Sequence, residues 1–245
     1  MRTIKLLIAY DGTGFCGWQR QAGQPSVQAV IEAALEQMHR HHVTLTGSGR
    51  TDSGVHAAGQ AAHFRTDIES ITPGRFVPAL NGLLPPDVRI LEASEARPDF
   101  HARFDARMRT YRYFFICGRQ ALPHESRYAL QLWRSPRIDL LNAYCRLLLG
   151  ERDCSIFAAS GDTGKSRSRY ISHAAFFTEG PRLVFEISAN AFLWKMVRSI
   201  AGTFLHYEES GMPPELLRDI IASGKRGLAG PTVPPQGLFL WKVEY

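Results

Sequence analysis

The sequence is poor in lysine and cysteine and contains no long hydrophobic run. No apolar stretch approaches the roughly 20 residues of a membrane-spanning helix, and the one near the amino terminus is too short for a signal peptide. The cysteines show no paired spacing, which argues against a structural zinc site and against a disulfide framework. We therefore expect a reduced, cytoplasmic protein without a membrane partner. The four cysteines are Cys16, Cys117, Cys145 and Cys154.

The positive charge is carried almost entirely by arginine. Of the 29 lysine and arginine residues only 5 are lysine, and the formal net charge is +6. The planar guanidinium group binds phosphates and stacks on bases, so this composition favours a polyanionic partner such as RNA. A coding bias towards arginine explains the composition equally well, and charge alone does not decide between the two.

The apolar pattern of the first 96 residues predicts the element order β-α-β-β-α-β. Apolar residues at helical spacing predict a helix at 27–40, with Ser26 as its cap, and a helix at 72–84 that Pro73 opens. Alternation of apolar and polar residues predicts strands at 3–10, 43–48, 55–66 and 87–96.

The rest of the chain repeats this order with one extra helix. The ferredoxin-like unit has this order, and RNA-recognition modules share it. We therefore predict an α+β fold of two ferredoxin-like halves, residues 1–105 and 106–245, with adjoining, mainly antiparallel sheets and a central cleft. The predicted strands of the second half are 107–118, 169–180, 181–190 and 238–245, and its helices are 138–150, 192–207 and 213–221.

The segment 49–60, GRTDSGVHAAGQ, places two charged side chains among glycine, alanine and serine. Small neighbours allow another group to approach Arg50 and Asp52 closely. Asp52 is a candidate nucleophile or base, because the adjacent backbone can hold it and leave one carboxylate face open. Taken alone, the segment fits a polar turn with a local ion pair better than it fits a catalytic site.

The predicted helix at 192–207 carries Arg198 beside an apolar face. A guanidinium group next to such a face tends to be partly buried and then needs a carboxylate partner, for which Asp52 is a natural candidate. The alternative is a basic helix surface, because Lys195 lies three residues before Arg198. The apolar face consists of Phe192, Met196, Ile200 and Phe204.

Arginine alternates with aromatic residues in the predicted strand at 107–118. Side chains on a strand point to alternate faces, so Arg109, Tyr111 and Tyr113 share one face. Tyrosine beside arginine suits a splayed nucleotide, since one group stacks on the base and the other meets a phosphate. Aromatic strands also commonly pack a core, so the pattern alone does not show which role these residues have.

The segment 227–237, GLAGPTVPPQG, is the part of the chain richest in proline and glycine. Proline fixes φ and glycine permits close approach of the backbone, so we predict a rigid loop rather than a flexible linker. The loop leads directly into the last predicted strand. Rigid loops at the edge of a sheet are suited to ligand contacts.

Six blocks along the chain together resemble one family. They are YDGTGFCGWQRQ, GRTDSGVHAAGQ, DFHARFDA, RTYRYFF, NAFLWKMVRSIAG and GPTVPPQGLFL, and they follow one another as in the TruA-type tRNA pseudouridine synthases. The resemblance extends from residue 8 to residue 242, and the block around Asp52 is highly specific. The resemblance favours the catalytic interpretation of Asp52 over the structural one.

The resemblance implies an isomerase that converts uridines 38, 39 and 40 of the tRNA anticodon arm to pseudouridine. By position in the blocks, Arg50 resembles the arginine that helps to extrude the target base, and Tyr111 the tyrosine that stacks on the uracil. Arg198 resembles the basic partner of Asp52, and Leu238 a residue that lines the pocket. The resemblance further implies a homodimer that binds tRNA and needs no metal, nucleotide or redox cofactor.

One stretch departs from the family pattern. Ala158 and Ala159 stand where members of the family often carry an arginine after the phenylalanine. The following stretch offers Lys165, Arg167 and Arg169 as replacement cations. We expect this departure to alter contacts with the RNA and not the reaction.

Two rival functions fit parts of the pattern. A non-catalytic RNA-binding protein on the same fold explains the charge and the aromatic strand. It gives no reason for the R-T-D turn, which is the turn containing residues 50–52. A nucleosidase or glycosidase would pair Asp52 with a second carboxylate of different pKa. The nearest candidates are Asp11 and Asp105, and nothing in their surrounding sequence marks either as an acid.

Overall fold

The computed structural model of the chain describes residues 1–161 and 166–245. Its elements form two compact units, which are Met1–Arg107 with Phe239–Tyr245 (the first unit) and Met108–Leu238 (the second unit). The strands are β1 Arg2–Tyr10, β2 Thr46–Gly47, β3 His56–Thr66, β4 Val88–Ala96, β5 Met108–Cys117, β6 Leu130–Leu132, β7 Gly150–Asp153, β8 Ser168–Glu179, β9 Arg182–Ala189 and β10 Leu238–Glu244. The α-helices are α1 Val27–His39, α2 Phe76–Asn81, α3 Ile138–Arg146, α4 Met196–Glu209 and α5 Pro214–Ala222.

The first unit is built on a sheet in which β1 lies between β3 and β4. Both pairings are antiparallel, and Ile4 of β1 lies opposite Phe64 of β3. β2 also pairs with β3, and β10 joins β3 in parallel with Phe239 opposite His56. The order β1-α1-β2-β3-α2-β4 confirms the predicted β-α-β-β-α-β pattern.

Helix α1 packs on the sheet of the first unit. Near its end, His39 lies edge to face against Phe64 of β3, with ring centroids 6.0 Å apart. The helix begins at Val27 as predicted, but Ser26 makes no side-chain cap, and its buried hydroxyl has no hydrogen-bond partner. Fully buried side chains alternate on β1 and recur at helical spacing on α1: Ile4, Leu6 and Ile8, then Val27, Ile31 and Leu35.

The second unit has a sheet with the strand order β5-β9-β8-β7, in which neighbours are antiparallel. β8 and β9 form the predicted hairpin. Helix α3 is bound to this sheet because the Asn142 side chain both donates to and accepts from the backbone of Phe176. The short strands β6 and β7 were not predicted, since three or four residues are too few to show a period.

The helix predicted at 192–207 begins later, at Met196. Lys195 interrupts it with a left-handed backbone (φ 60°), which is uncommon for residues other than glycine. Lys195 therefore does not share a helix surface with Arg198, and its Nζ lies 4.6 Å from the centroid of the Trp194 ring. The predicted apolar face is buried at Met196, Ile200 and Phe204.

The last strand, β10, belongs to a different unit in the structure than in the division at residue 105 that the sequence suggested. That division placed 238–245 in the second half, whereas residues 239–245 belong to the first unit. The cause is the pairing of β10 with β3, supported by a hydrogen bond of 2.8 Å from the Arg107 N–H to the Glu244 carbonyl. The α+β class with two halves is confirmed.

Among the described residues, no helix is long and apolar enough to cross a membrane.

Glu208 is a buried carboxylate near the end of α4. It is 1% exposed and accepts hydrogen bonds from the Arg134 side chain and, at 2.9 Å, from the Arg137 N–H. Burial by itself would raise the pKa of Glu208, but these donors outweigh it and hold the pKa below its usual range. A carboxyl with a lower pKa in the folded state stabilises the fold above the unfolded-state pKa. That stabilisation is lost as the pH falls through the folded-state pKa.

We expect Glu208→Gln to lower the free energy of unfolding by about 2 kcal/mol at pH 7, because charge-assisted hydrogen bonds become weaker neutral ones. The difference from wild type should shrink below about pH 4.3, as the wild-type carboxyl becomes protonated. Urea unfolding at neutral and acidic pH measures both effects. Glu215→Gln, at an exposed position of α5, is the matched control. A difference that stays constant at low pH contradicts the pKa argument.

Candidate active site

Arg50 and Asp52 lie in the turn that joins β2 to β3. Thr51 between them is 7% exposed, whereas Arg50 is exposed and Asp52 is half-buried. The Val55 N–H donates to the Asp52 carbonyl at 3.1 Å, and Gly54 has a φ of +76°, which favours glycine. Arg50 is therefore accessible at the surface of the unit and Asp52 partly accessible, while the residue between them is directed into the unit.

The small residues of this turn allow a second backbone segment to lie directly against it. That segment is 11–18, the glycine-rich loop that follows β1. The Trp18 N–H donates to the Thr51 carbonyl at 3.2 Å. A Cβ atom on Gly17 would lie only 2.5 Å from the Thr51 carbonyl oxygen, so this approach requires glycine. The turn is thus held by close contact between two backbones.

Buried polar side chains lie beneath the turn, and the sequence reasoning missed them. The Tyr10 hydroxyl lies 2.8 Å from Thr51 Oγ1. Gln60 accepts a hydrogen bond from the Ser48 hydroxyl at 2.6 Å and donates to the Gly49 carbonyl at 3.0 Å. Burial raises the pKa of Tyr10, although its hydrogen bonds act in the opposite direction. The hydroxyl is therefore protonated at neutral pH.

The Arg50 side chain is oriented by Gln19, which directly follows the glycine-rich loop. Its Nε donates to Gln19 Oε1 at 2.9 Å. The isolated segment suggested a local ion pair between Arg50 and Asp52. The hydrogen bond that orients Arg50 is made instead with Gln19. Its guanidinium group lies at the surface of the unit, where a phosphate or a base can reach it.

Tyr111 and Tyr113 of β5 have different environments in the second unit. Tyr111 is half-buried and lies edge to face against Phe192, with ring centroids 5.0 Å apart. Tyr113 is fully buried, and its hydroxyl donates to the Pro234 carbonyl. Burial raises the pKa of Tyr113, and the charge of Arg198 lowers it by less. The strand therefore packs the core at Tyr113 and leaves Tyr111 partly exposed.

Arg198, in the first turn of α4, binds the proline-rich loop 227–237. Its Nε donates to the Val233 carbonyl at 2.8 Å. The end of the loop is bound to β5, where the Phe114 N–H donates to the Gly237 carbonyl at 2.9 Å. Leu238 follows and is 4% exposed. These hydrogen bonds hold the loop in place, as expected of a rigid segment.

The structure places the predicted site residues in two groups. Arg50 and Asp52 share one turn of the first unit, held from below by Tyr10 and Gln60. In the second unit, Arg198 of α4 binds the proline-rich loop, and Leu238 directly follows that loop. Tyr111 lies on β5, the strand to which that loop is bound.

The sequence profile of the tRNA pseudouridine synthase family matches residues 6–105 and 144–245. The chain belongs to this family. The resemblance found in the six sequence blocks is thereby confirmed. Arg50, Asp52, Arg198 and Leu238 lie within the matched ranges, and Tyr111 lies in the stretch between them.

Curated relatives agree with this assignment. A protein of Treponema denticola is 51% identical over 249 residues, which cover all of this chain and 93% of that protein. A protein of Treponema pallidum (strain Nichols) is 49% identical over 94% of this chain and 84% of its own length. One of Syntrophomonas wolfei is 39% identical over all of this chain and 98% of its own. Each is named tRNA pseudouridine synthase A.

The carboxylates considered as catalytic acids for a hydrolase are engaged elsewhere. Asp11 Oδ1 accepts hydrogen bonds from the N–H and hydroxyl of Thr13, at 2.9 and 2.6 Å. The backbone N–H of His101 is the main cause of the lowered pKa of Asp105, and Arg97 adds to it. A general acid needs a raised pKa, so Asp105 does not suit that role.

Within the described part of the chain, no group of three or more His, Cys, Asp or Glu side chains could hold a metal ion.

Of the three cations expected to replace the family's usual arginine, the structure describes Arg167 and Arg169. Lys165 lies outside the described residues. Arg169 on β8 donates through one terminal nitrogen to the carbonyls of Ser166 and Ser168, at 2.9 and 2.6 Å. The backbone carbonyl of Arg167 accepts from the Cys154 N–H at 3.0 Å. A role for these cations in binding RNA stays a prediction.

Proposed function

We propose that the chain isomerises uridines 38, 39 and 40 in the anticodon arm of tRNA to pseudouridine, with Asp52 as the catalytic carboxylate. The observation that carries the proposal is the R-T-D turn of the first unit, in which Asp52 is half-buried and the backbone around it is fixed. This turn belongs to a chain of the tRNA pseudouridine synthase family. The net charge of +6 supports a polyanionic substrate.

The chemistry needs one carboxylate close to the ribose. The bond between N1 of uracil and C1′ breaks, the base turns, and C5 bonds to C1′. The hydrogen on C5 leaves as a proton, and N1 gains one. Cleavage develops positive charge at C1′, which a carboxylate stabilises or captures. A second route, in which the carboxylate removes a sugar proton to form a glycal, makes the same demand, and the proposal assigns this role to Asp52.

The other site residues are proposed to expose and hold the nucleotide. Extruding a base from its stack costs a few kcal/mol, and the exposed Arg50, oriented by Gln19, is suited to fill the gap. Tyr111, which packs edge to face against Phe192, is proposed to stack on the uracil. Arg198 supplies positive charge beside the proline-rich loop, and Leu238 supplies an apolar wall.

The proposal extends to assembly and location. A homodimer that acts on tRNA in the cytoplasm follows from the family resemblance. The proposed mechanism uses side chains of the protein only, and neither route requires a metal ion or a redox cofactor.

Release of tritium from C5 of uridine tests the proposed reaction and its positions. We expect about one equivalent of tritium per transcript when an unmodified tRNA transcript carries uridine at only one of positions 38, 39 and 40. The physical reason is that C5 must lose its hydrogen to bond C1′. A transcript with cytidine at all three positions is the matched control and should release none.

The same assay separates the rival functions. Free uracil in the supernatant would indicate a nucleosidase, because hydrolysis cleaves the glycosidic bond without rejoining the base. Binding of tRNA without tritium release or free uracil would indicate a non-catalytic RNA-binding protein. Equal release from the control transcript would refute the assignment to positions 38, 39 and 40 and leave the isomerase intact.

A further inference from the structure

We infer that Tyr10 and Gln60 are positioning residues for the reaction, which fix the backbone from which Arg50 and Asp52 project. The inference rests on the proposed function and adds to it two side chains that do not touch the substrate. They act through Thr51 and through the backbone before Arg50.

The hydrogen bonds reach the residues on both sides of Arg50. Tyr10, at the end of β1, contacts Thr51 Oγ1 at 2.8 Å. Gln60, on β3, donates to the Gly49 carbonyl at 3.0 Å and is itself held by the Ser48 hydroxyl at 2.6 Å. Since β1 and β3 are paired in one sheet, these side chains are supported by the hydrogen-bond ladder between the two strands. The R-T-D residues are therefore tied to a rigid element at two points.

Burial makes these bonds more than surface contacts. Tyr10 is 4% exposed, Ser48 is 1% exposed and Gln60 is not exposed. A buried polar group left without its partner loses its hydrogen bonds to water without replacement, so the arrangement in which all are paired is strongly preferred.

The link from Tyr10 to Thr51 governs the direction of the neighbouring side chains. The glycine-rich loop holds Thr51 only through the backbone, by the N–H of Trp18. The Tyr10 hydroxyl holds the Thr51 side chain inward, and this fixes the backbone from which the Arg50 and Asp52 side chains project on either side of it. Without this hydroxyl, the segment can rotate and still keep its backbone contacts. Asp52 would then move relative to a bound ribose.

Tyr10→Phe tests the inference, because it removes the hydroxyl and keeps the ring. We expect the single-turnover rate of tritium release to fall between about 10- and 100-fold, since small misplacements of a catalytic group carry costs of that size. The Kd for tRNA should stay within about 2-fold. Thr51→Val should lower the rate similarly, and Thr51→Ser, which keeps a hydroxyl, should restore most of it.

A double-variant cycle shows whether the two residues act as one unit. If Tyr10 acts through Thr51, Tyr10→Phe combined with Thr51→Val should be no slower than the slower single variant. Tyr144→Phe is the matched control, because Tyr144 also donates its hydroxyl to a partner within the fold, the Met212 carbonyl, far along the chain from the R-T-D turn. It should leave the rate unchanged.

Two results would overturn the inference. One is a wild-type rate in Tyr10→Phe, and the other is a loss of rate that merely equals the fraction of unfolded protein. If wild-type protein releases no tritium, the proposed function fails, and amide NMR decides the positioning separately. The amide resonances of residues 50–52 should then shift in Tyr10→Phe but not in Tyr144→Phe, and unshifted resonances would refute the positioning role.

Discussion

Asp52→Asn should lower tritium release from a tRNA transcript by at least about 10³-fold, the scale of loss seen when a nucleophile or an essential base is removed. Asparagine has nearly the same shape as aspartate, and the backbone hydrogen bonds of the turn do not involve the side chain. The fold and the tRNA affinity should therefore persist, and the loss should appear in the single-turnover rate. Filter binding and thermal unfolding measured in parallel check both.

Asp67→Asn is the matched control for this result. Asp67 lies in the same unit, its side chain is 51% exposed, and its partner is His41. The same chemical change there should leave the rate unaltered. If Asp52→Asn keeps more than about a tenth of the wild-type rate, the Asp52 carboxylate is not essential, and both routes proposed for the reaction fail.

Gly202→Ala should destabilise the second unit and impair the reaction. Gly202 lies within α4, and a Cβ atom there would be 1.8 Å from the Pro231 carbonyl oxygen. A Cβ atom on Gly230 of the loop would likewise lie only 2.8 Å from the Thr203 Cα of the helix. The added methyl group must push the proline-rich loop away from the helix.

The expected cost is the sum of two opposing effects. Alanine favours a helix over glycine by about 1 kcal/mol, whereas overpacking of this severity costs about 3 kcal/mol or more. The urea midpoint should therefore fall. The rate should fall as well, because the displaced loop carries the carbonyl that Arg198 binds and leads into Leu238.

Gly227→Ala is the control, because Gly227 lies in the proline-rich loop that Gly202 of α4 contacts. A Cβ atom at that position has no heavy atom within 4 Å, so the change in stability should be within about 0.5 kcal/mol. Equal stability of Gly202→Ala and Gly227→Ala would show that the loop can shift without loss. The close packing of helix and loop would then have no role in the site.

Long periodic segments were predicted well, and irregular ones were not. The hairpin of β8 and β9 and helix α1 were evident because each presents many residues with one period. The start of α4 was placed too early, since the apolar period continues through residues 192–195 although the backbone of Lys195 is left-handed. The strands β6 and β7 depend on partners and have no period of their own.

The candidate site was predicted in part for a similar reason. The R-T-D block marks Asp52 and Arg50 because small residues around two charges are conspicuous within a short segment. The support from Tyr10 and Gln60 is spread over β1 and β3 and becomes visible only when the strands pair. Sequence reasoning could have noted that a glutamine between the small apolar residues of a strand needs a partner, but it could not name that partner.

The sequence by itself determined the order of strands and helices, the R-T-D turn and its similarity to the tRNA pseudouridine synthases, because these depend on neighbours along the chain. The tertiary structure alone decided that Tyr113 is buried while Tyr111 is partly exposed, that β10 joins β3, and that Thr51 is tied to Tyr10. The physical reason is that burial and hydrogen bonding between distant residues are settled by packing. Residues with the same local pattern can therefore end in different environments.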